Sequence, residues 1–292
     1  MIANDYLIKA MDKEGQVRVT LAHTTKLVDE ARFRHNTSAT ASAALGRVLT
    51  GALMMGSDLK GANDSLTLRV VGEGIAGSVV ATVDSQGTGR ALISNPAADV
   101  PSIRPGKLDV AAIIGREGYL EVIKDIGLKQ PFVGRVDLVS GEIAEDLANY
   151  FVMSEQIPSL VALGVLVEKD LSIKAAGGLI VQAMPGAQDS ILEIIENNIF
   201  NLGPISNLML VHENLEGILS ELFANIDYEA LASLPLEFAC RCNEERLRTI
   251  FTSFSIEELQ EIYAKEGILE ARCNFCNETY QFSLEEILAY KR

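Results

Sequence analysis

Four cysteines carry the most specific chemical signal in the chain, and they form two close pairs, Cys240-Arg-Cys242 and Cys273-Asn-Phe-Cys276. Thirty residues separate the two pairs. This pattern is typical of a zinc site with four thiolate ligands, because each pair can supply two ligands from one tight turn. Four protein ligands fill a tetrahedron, so we predict a structural site with one Zn²⁺ per chain. Burial of four cysteines as small hydrophobic side chains would not explain why every cysteine belongs to a pair.

The same four thiols can be oxidised. A bridge between Cys240 and Cys242 is possible but strained, whereas a bridge between Cys273 and Cys276 closes more easily. Oxidation would release the metal, and two short disulfide loops would stabilise less structure than the metal does. A Cys-x-x-Cys motif also occurs in thiol oxidoreductases, which need free thiols of low pKa. Turnover in an insulin-reduction assay would favour that enzymatic alternative.

The elements around the cysteines are short. Two sequences, Ser255-Ile-Glu-Glu258 and Ser283-Leu-Glu-Glu286, fit the capping box that begins a helix. The expected helices cover 244–252, 256–265 and 284–291, and the expected strands lie near 236–241, 268–272 and 279–282. A unit of this size, 235–292, is small for an independent core, so loss of a structural metal should unfold it.

The preceding region has a different composition, because 19 of the 23 glycines lie before residue 180. Alternation and turn residues predict strands at Gln16–Leu21, Ser65–Val71, Ser78–Asp84, Gly89–Ser94, Leu120–Asp125, Phe132–Val139, Leu160–Val167 and Ser172–Val181. Helices are expected at Lys26–His35, Ala39–Met55 and Gly141–Met153, the last with Ser140 as its cap. Strands joined by short turns predict an α+β domain with a mixed, largely antiparallel sheet over 1–181.

Between these regions, apolar residues recur at helical spacing from Ile191 onwards, with acidic residues between them. Gly203-Pro204 interrupts the pattern. We therefore predict an α-helical linker over 182–234 that packs against another part of the molecule.

The overall charge excludes some classes of function. With 40 acidic and 25 basic side chains, the chain carries a formal charge of −15, of which −12 lies in 180–292. Such a protein repels phosphate backbones, which argues against a zinc-ribbon module that binds nucleic acid, although a partner-binding module remains open. The N-terminal residues lack the pattern of a signal peptide, and no apolar run is long enough to span a bilayer. A cytoplasmic location without membrane contact is the expectation.

Several other motifs have ordinary structural interpretations. Gly72-Glu-Gly74-Ile-Ala-Gly77 matches a nucleotide-binding fingerprint, but a strand follows it instead of a helix, which favours a turn. We interpret Met54 and Met55 as core residues and not as a groove for other proteins. The remaining side chains with possible chemistry are expected to form salt-bridged or solvated surfaces: Arg32, Arg34, His35, Glu142, Glu145 and Asp146. His23 and His212 lie far from the cysteines in sequence, so a Cys–His nucleophile has little support.

The cysteine pairs resemble those of the redox-regulated 33 kDa chaperonin (heat-shock protein 33) family. The resemblance extends over nearly the whole chain through four further segments: Ala31-Arg-Phe-Arg-His35, Thr40–Gly46 (TASAALG), Gly141-Glu-Ile-Ala-Glu-Asp-Leu147 and Ser154-Glu-Gln-Ile-Pro158.

This resemblance implies a holdase chaperone, not an enzyme, that prevents aggregation of unfolding proteins during oxidative stress. It implies that Cys240, Cys242, Cys273 and Cys276 bind zinc in the inactive, reduced form. It further implies that oxidation releases zinc and joins Cys240 to Cys242 and Cys273 to Cys276. The linker and the C-terminal unit would then unfold, and the active protein would form a homodimer and later pass its clients to ATP-dependent foldases.

Overall fold

The chain divides between Phe238 and Ala239 into two compact units, and both cysteine pairs belong to the second. The computed structural model describes residues 4–103 and 106–291. Both units combine helices with mainly antiparallel strands, which confirms the predicted α+β class. Within these described residues, no helix is both long and apolar enough to cross a membrane.

The secondary structure of the first unit includes eleven strands and seven helices over the described residues. The strands are β1 (Tyr6–Asp12), β2 (Val17–His23), β3 (Ser65–Gly72), β4 (Ser78–Asp84), β5 (Thr88–Ile93), β6 (Gly118–Asp125), β7 (Phe132–Asp137), β8 (Ser159–Val167), β9 (Ile173–Ala183), β10 (Tyr228–Pro235) and β11 (Glu237–Phe238). The helices are α1 (Thr25–His35), α2 (Ala39–Gly56), α3 (Val110–Ile114), α4 (Ala144–Tyr150), α5 (Asp189–Leu202), α6 (Ile205–Val211) and α7 (Leu215–Leu222), and a π-helical turn (Phe151–Glu155) continues α4.

The second unit is built from shorter elements. They are α8 (Glu244–Ile250), a 3₁₀ turn (Phe251–Ser253), α9 (Ile256–Glu266), β12 (Leu269–Arg272), β13 (Thr279–Phe282) and α10 (Leu284–Tyr290). Strands β12 and β13 form an antiparallel hairpin.

Two sheets form the framework of the first unit. The five-stranded sheet has the order β10-β1-β2-β9-β8, and all its pairs are antiparallel. The six-stranded sheet has the order β11-β5-β4-β3-β6-β7 and is antiparallel except for the short β11, which runs parallel to β5. The antiparallel pairing agrees with the hairpin-like spacing of strands in the sequence.

Helix α2 packs against strands of both sheets and is buried on almost all sides. Its sequence is rich in alanine, glycine and leucine, as a helix with no solvent-exposed face requires. A methyl group added at Gly46 would lie 2.6 Å from a methyl carbon of Val28, and one added at Gly56 would lie 2.4 Å from Val83. Small residues therefore allow this close packing. Met54 and Met55 are buried here, which confirms that they are core residues.

Helices α5, α6 and α7 pack with the five-stranded sheet in a second apolar core. The side chains of β8 alternate between the two cores, because Val161, Leu163 and Val165 contact the α2 core while Leu160, Ala162 and Leu166 contact the second core. The predicted linker is therefore ordered over α5–α7, with its apolar face covered by the sheet.

The eight strands expected in the first region all form, with ends shifted by at most two residues. Two strands were missed by the sequence analysis. Strand β10 occupies 228–235, where a helical linker was expected, and it pairs with β1, which was not predicted. The residues of β10 have weak strand preference, so their conformation follows from pairing with a distant strand. The expected strand near 236–241 is also shorter, because only Glu237 and Phe238 join β5.

The glycine motif at 72–77 forms a turn between the antiparallel strands β3 and β4, as predicted. The amide N–H of Gly74 donates to the carbonyl of Ile114 at 2.8 Å, and that of Ala76 donates to Ile113 at 2.8 Å. A methyl group at Gly72 would lie 2.0 Å from the Ile114 carbonyl oxygen. The glycines thus hold the end of α3, a role that does not involve a phosphate.

Asp146 corrects the expectation of a solvated acidic surface near α4. Its side chain is fully buried. Oδ1 accepts the amide N–H groups of Val139 (2.7 Å), Ser140 (3.0 Å) and Gly141 (3.3 Å), and Oδ2 accepts that of Ile143 (2.9 Å). The helix starts at Ala144 and not at Gly141, because the chain first folds around this carboxylate.

Replacement of Asp146 by alanine should therefore destabilise the first unit by about 3–5 kcal/mol, since it leaves four amides, two of them buried, without their acceptor. Asp146→Asn keeps one acceptor oxygen and should cost less. Urea denaturation of both variants, followed by circular dichroism, measures the difference. Equal stability of the alanine variant and the unmodified protein would contradict this role.

Candidate metal centre

The first cysteine pair lies on the short segment between β11 and α8. Asn243 caps α8 by accepting the amide N–H of Arg246 at 2.8 Å. The Arg246 side chain in turn donates to the carbonyl of Arg241 at 2.9 Å. These bonds fix the backbone at Arg241 and Asn243, the residues that flank Cys242, and so restrict the direction of its side chain.

The second cysteine pair lies in the loop of the β12–β13 hairpin. The amide N–H of Cys273 donates to the carbonyl of Glu278 at 2.9 Å, and that of Asn277 donates to the carbonyl of Cys273 at 2.8 Å. Asn277 has a φ of +57°, a conformation that asparagine tolerates better than most residues. The hairpin therefore presents both sulfurs of the pair from one tight turn, as the spacing predicted.

The four sulfur atoms come together, with every pair of Sγ atoms within 4.8 Å. Cys240 Sγ lies 3.6 Å from Cys273 Sγ, and Cys242 Sγ lies 3.3 Å from Cys276 Sγ. No disulfide bond joins any two of these four cysteines. A tetrahedron of sulfurs around Zn²⁺ at about 2.3 Å has edges of about 3.8 Å. The arrangement is thus close to the size that a tetrahedral ion requires.

The donor set restricts which metal the site could hold. Four thiolates are soft ligands, which suit Zn²⁺ and iron–sulfur chemistry better than Mg²⁺ or Ca²⁺. Over residues 4–103 and 106–291, these cysteines form the one cluster of three or more His, Cys, Asp or Glu side chains that could hold an ion. With four protein ligands, such a site leaves no position for a substrate.

The local environment shifts the pKa values of three of the thiols in different directions. Burial raises the pKa of Cys273, but hydrogen bonds from the Cys276 and Phe275 amides and from neighbouring thiols outweigh burial, so its pKa lies below the ordinary value. Burial is the main reason that the pKa values of Cys240 and Cys276 lie above the ordinary value. Amides that donate to sulfur favour the charged thiolate, which is the form that binds metal.

A small apolar core surrounds the site. Its buried members are Leu247, Phe251, Leu259, Leu269, Ala271, Phe282 and Ile287. Both predicted capping boxes form: Ser255 and Glu258 exchange bonds at 2.7 and 3.1 Å, and Ser283 and Glu286 at 2.8 and 3.2 Å. Bonds from the serine amides lower the pKa of Glu258 and Glu286. The unit is therefore well capped but has little buried apolar surface.

Most other residues considered in the sequence analysis belong to the first unit and have structural partners there. Arg32 pairs with Asp29 at 3.3 Å and Arg34 pairs with Glu30 at 2.7 Å, which confirms the salt-bridged helix end for the two arginines. His35, which was expected on the same surface, is buried instead. Glu142 pairs with Arg47 at 2.6 Å. His23 Nδ1 lies 3.0 Å from Asp5 Oδ1 in a buried pair. His212 lies 3.7 Å from Glu221.

The sequence analysis missed two tyrosines whose hydroxyl groups make specific contacts in the structure. Tyr280 Oη lies 3.5 Å from Cys242 Sγ. The Tyr6 hydroxyl accepts the amide N–H of Leu215 at 2.7 Å and donates to Glu216 at 2.9 Å, so it attaches the start of α7 to β1. Burial raises the pKa of Tyr6 to about 12. The position of Tyr280 on a predicted strand beside the second cysteine pair was the available signal for its role.

Comparisons with known proteins agree with this arrangement. A family model described as Hsp33 protein matches residues 5–283. Two relatives described as 33 kDa chaperonin, from Clostridium botulinum (strain Loch Maree / Type A3) and Desulforamulus reducens, are 45% and 44% identical over 283 residues. Each alignment covers 97% of this chain and 96% of the relative. The crystal structure of the heat shock protein 33 homolog from Thermotoga maritima is similar with a TM-score of 0.90 and 38% identity, over 99% of both chains.

Proposed function

Because this chain belongs to the Hsp33 family of chaperones, we propose that it is a redox-regulated holdase whose switch is the cluster of four cysteines. The observation that carries the proposal is the convergence of all four sulfurs within 4.8 Å of one another. In the reduced protein these sulfurs hold one Zn²⁺, and the bound ion keeps the second unit folded and the chaperone inactive. Four thiolate ligands favour a structural role for the ion over a catalytic one.

Oxidation of the four cysteines by hydrogen peroxide switches the chaperone from its inactive to its active form. One thiolate attacks a peroxide oxygen, forms a sulfenic acid and releases hydroxide. A second thiolate then displaces hydroxide from that sulfur and forms a disulfide. Each disulfide consumes one peroxide and two protons, transfers two electrons from sulfur and yields two waters. Loss of four thiolates removes every ligand, so the ion is released.

The family resemblance supports disulfides within the pairs, Cys240–Cys242 and Cys273–Cys276. The sulfurs nearest across the pairs, at 3.6 and 3.3 Å, would offer the alternative pairing. Bridges within pairs close only short loops, so they constrain the unfolded chain little and leave the second unit without its main source of stability. Peptide mapping under non-reducing conditions distinguishes the two pairings.

The client surface in this proposal is the apolar face of α5–α7 together with the sheet face that it covers. This face has nine buried hydrophobic side chains: Ile195, Ile205, Leu208, Met209, Leu215, Ile218, Leu219, Leu222 and Phe223. Unfolding of the second unit frees the chain immediately after β11 and loosens 182–238. The exposed face then binds unfolding proteins through the hydrophobic effect.

Further parts of the proposal rest on the family resemblance. The protein acts in the cytoplasm, forms a homodimer when oxidised, passes its clients to ATP-dependent foldases and catalyses no reaction. Residues 180–238 contain nine acidic residues and neither lysine nor arginine. This charge would keep the apolar segment soluble when it is released. The family resemblance also supports a functional division into three parts: an α+β domain (1–181), a linker (182–234) and a C-terminal zinc-binding unit (235–292).

The test follows metal and activity together. The reduced protein is treated with peroxide at mildly elevated temperature, while a chromogenic chelator records zinc and light scattering records aggregation of a heat-denaturing client. We expect release of about one zinc ion per chain, as four ligands for one ion require, in parallel with suppression of aggregation. Full activity in the reduced protein with its metal retained would contradict the switch.

A further inference from the structure

Tyr280 lies beside the sulfur cluster, and the mechanism proposed above assigns it no role. It lies on β13 opposite Ala271 of β12, and its ring packs with Cys242 against the small core of the second unit. Its hydroxyl oxygen lies 3.5 Å from Cys242 Sγ. Because the ring is held by the hairpin register and by packing, the hydroxyl is fixed in direction towards this sulfur.

The other three sulfurs accept hydrogen bonds from the backbone in a regular pattern. The amide N–H of Cys242 donates to Cys240, that of Phe275 to Cys273, and that of Glu278 to Cys276. Each of these donors stands two residues after the sulfur that it contacts, and the amide N–H of Cys276 is a second donor to Cys273. Cys242 differs because a side-chain hydroxyl approaches it, and this donor can be removed by mutation without a change in the backbone.

We propose that Tyr280 is a positioning residue of the redox switch, which donates a hydrogen bond to Cys242 Sγ and slows the attack of that sulfur on peroxide. The proposal rests on the proposed function. A metal-bound sulfur has no proton, so the tyrosine hydroxyl is the donor of this contact. The bond withdraws electron density from the lone pairs of the sulfur, and these lone pairs must form the new S–O bond as the O–O bond of peroxide breaks and hydroxide leaves.

The same bond favours the reduced, metal-bound state. Groups that donate to metal ligands fix their orientation, and their removal lowers metal affinity by about 10–100-fold. Loss of a hydrogen bond worth about 1 kcal/mol corresponds to roughly a fivefold change in rate. Tyr280 thus sets how much oxidant the switch tolerates before Cys242 reacts and its proposed disulfide partner Cys240 can displace hydroxide from it.

The experiment compares Tyr280→Phe with Tyr263→Phe in the full-length reduced protein. Tyr263 packs against the same small core, and no contact of its hydroxyl with a sulfur is found among the described residues. Stopped-flow mixing with peroxide in the presence of a chromogenic chelator measures zinc release. Competition with a chelator of known affinity, without oxidant, measures zinc binding. Mass spectrometry after rapid alkylation measures the order in which the four thiols are oxidised.

We expect Tyr280→Phe to release zinc about fivefold faster than the unmodified protein and to bind it about tenfold more weakly, as loss of one donor to a ligand predicts. Cys242 should become oxidised earlier relative to the other three thiols, whereas general loosening of the unit would accelerate all four equally. Tyr263→Phe should match the unmodified protein. Equal release rates in all three proteins, or uniform acceleration of the four thiols, would overturn the role of Tyr280. Failure of the unmodified protein to release zinc would instead overturn the proposed function.

Discussion

Replacement of Cys273 by serine should unfold residues 239–291 while the six-stranded sheet around β3 and β4 stays folded. The second unit has a core of only seven buried side chains and one two-stranded sheet, and a hairpin of this kind is marginally stable without additional packing. A structural zinc site contributes about 10–16 kcal/mol of apparent binding free energy, which exceeds the whole stability of most small domains. Serine is a hard ligand, so the variant loses much of that contribution.

Hydrogen–deuterium exchange measures this expected result, because amides of β12 and β13 should exchange rapidly in Cys273→Ser while amides of β3 and β4 keep their protection. Asn274→Ser is the matched control, since it introduces the same residue at the next position of the loop on an exposed side chain. Metal removal by a strong chelator from the unmodified protein should reproduce the pattern. Full protection of β12 and β13 after either treatment would show that the metal is not what holds this unit together.

The candidate metal site could be predicted from the sequence because its information is local. Each pair of cysteines lies within one turn, and the two capping boxes are also complete within four residues. The spacing therefore specified which side chains converge. It did not specify that Tyr280 reaches Cys242, because that contact depends on the register of β12 against β13.

Non-local interactions account for the parts of the fold that the sequence analysis missed. Strand β10 forms because Leu234 and its neighbours pair with Leu7 and its neighbours, more than two hundred residues earlier. Such pairing leaves little trace in the periodicity of either segment. Asp146 was interpreted as solvated for a similar reason, since the four amides that it accepts become its partners only when the chain before α4 folds around it.

The division into two units also changes how the charge is interpreted. The sequence analysis assigned −12 to the region around the cysteines. Residues 239–292 contain ten acidic and seven basic residues, whereas 180–238 contain nine acidic residues and no lysine or arginine. The negative charge is therefore concentrated on the segment that includes α5–α7. This distribution supports a role for the charge in keeping that segment soluble, and it weakens the use of charge as an argument about the cysteine unit itself.

Substitution of Leu219 by aspartate should produce a chaperone that is active without oxidation. Leu219 is 1% exposed at the centre of α7, in the core that joins α5–α7 to the five-stranded sheet. Burial of an unpaired carboxylate costs several kcal/mol, so the helices should leave the sheet while the cysteines keep their metal. If the covered face is the client surface, the reduced, zinc-containing variant should suppress aggregation of a heat-denaturing client.

The control for this substitution is Val211→Asp, which adds the same charge to the neighbouring helix α6 at a side chain that is 76% exposed. It should leave the reduced protein inactive, because it alters no buried contact. Zinc content and exchange protection of β3, β4, β12 and β13 establish that both variants retain the rest of the fold. Rapid exchange over 189–222 would show that the helices of the Leu219→Asp protein have detached. If that protein still failed to prevent aggregation, release of these helices would not be sufficient for client binding. The chaperone surface would then have to lie elsewhere on the protein, since burial of this face would no longer explain why the reduced form is inactive.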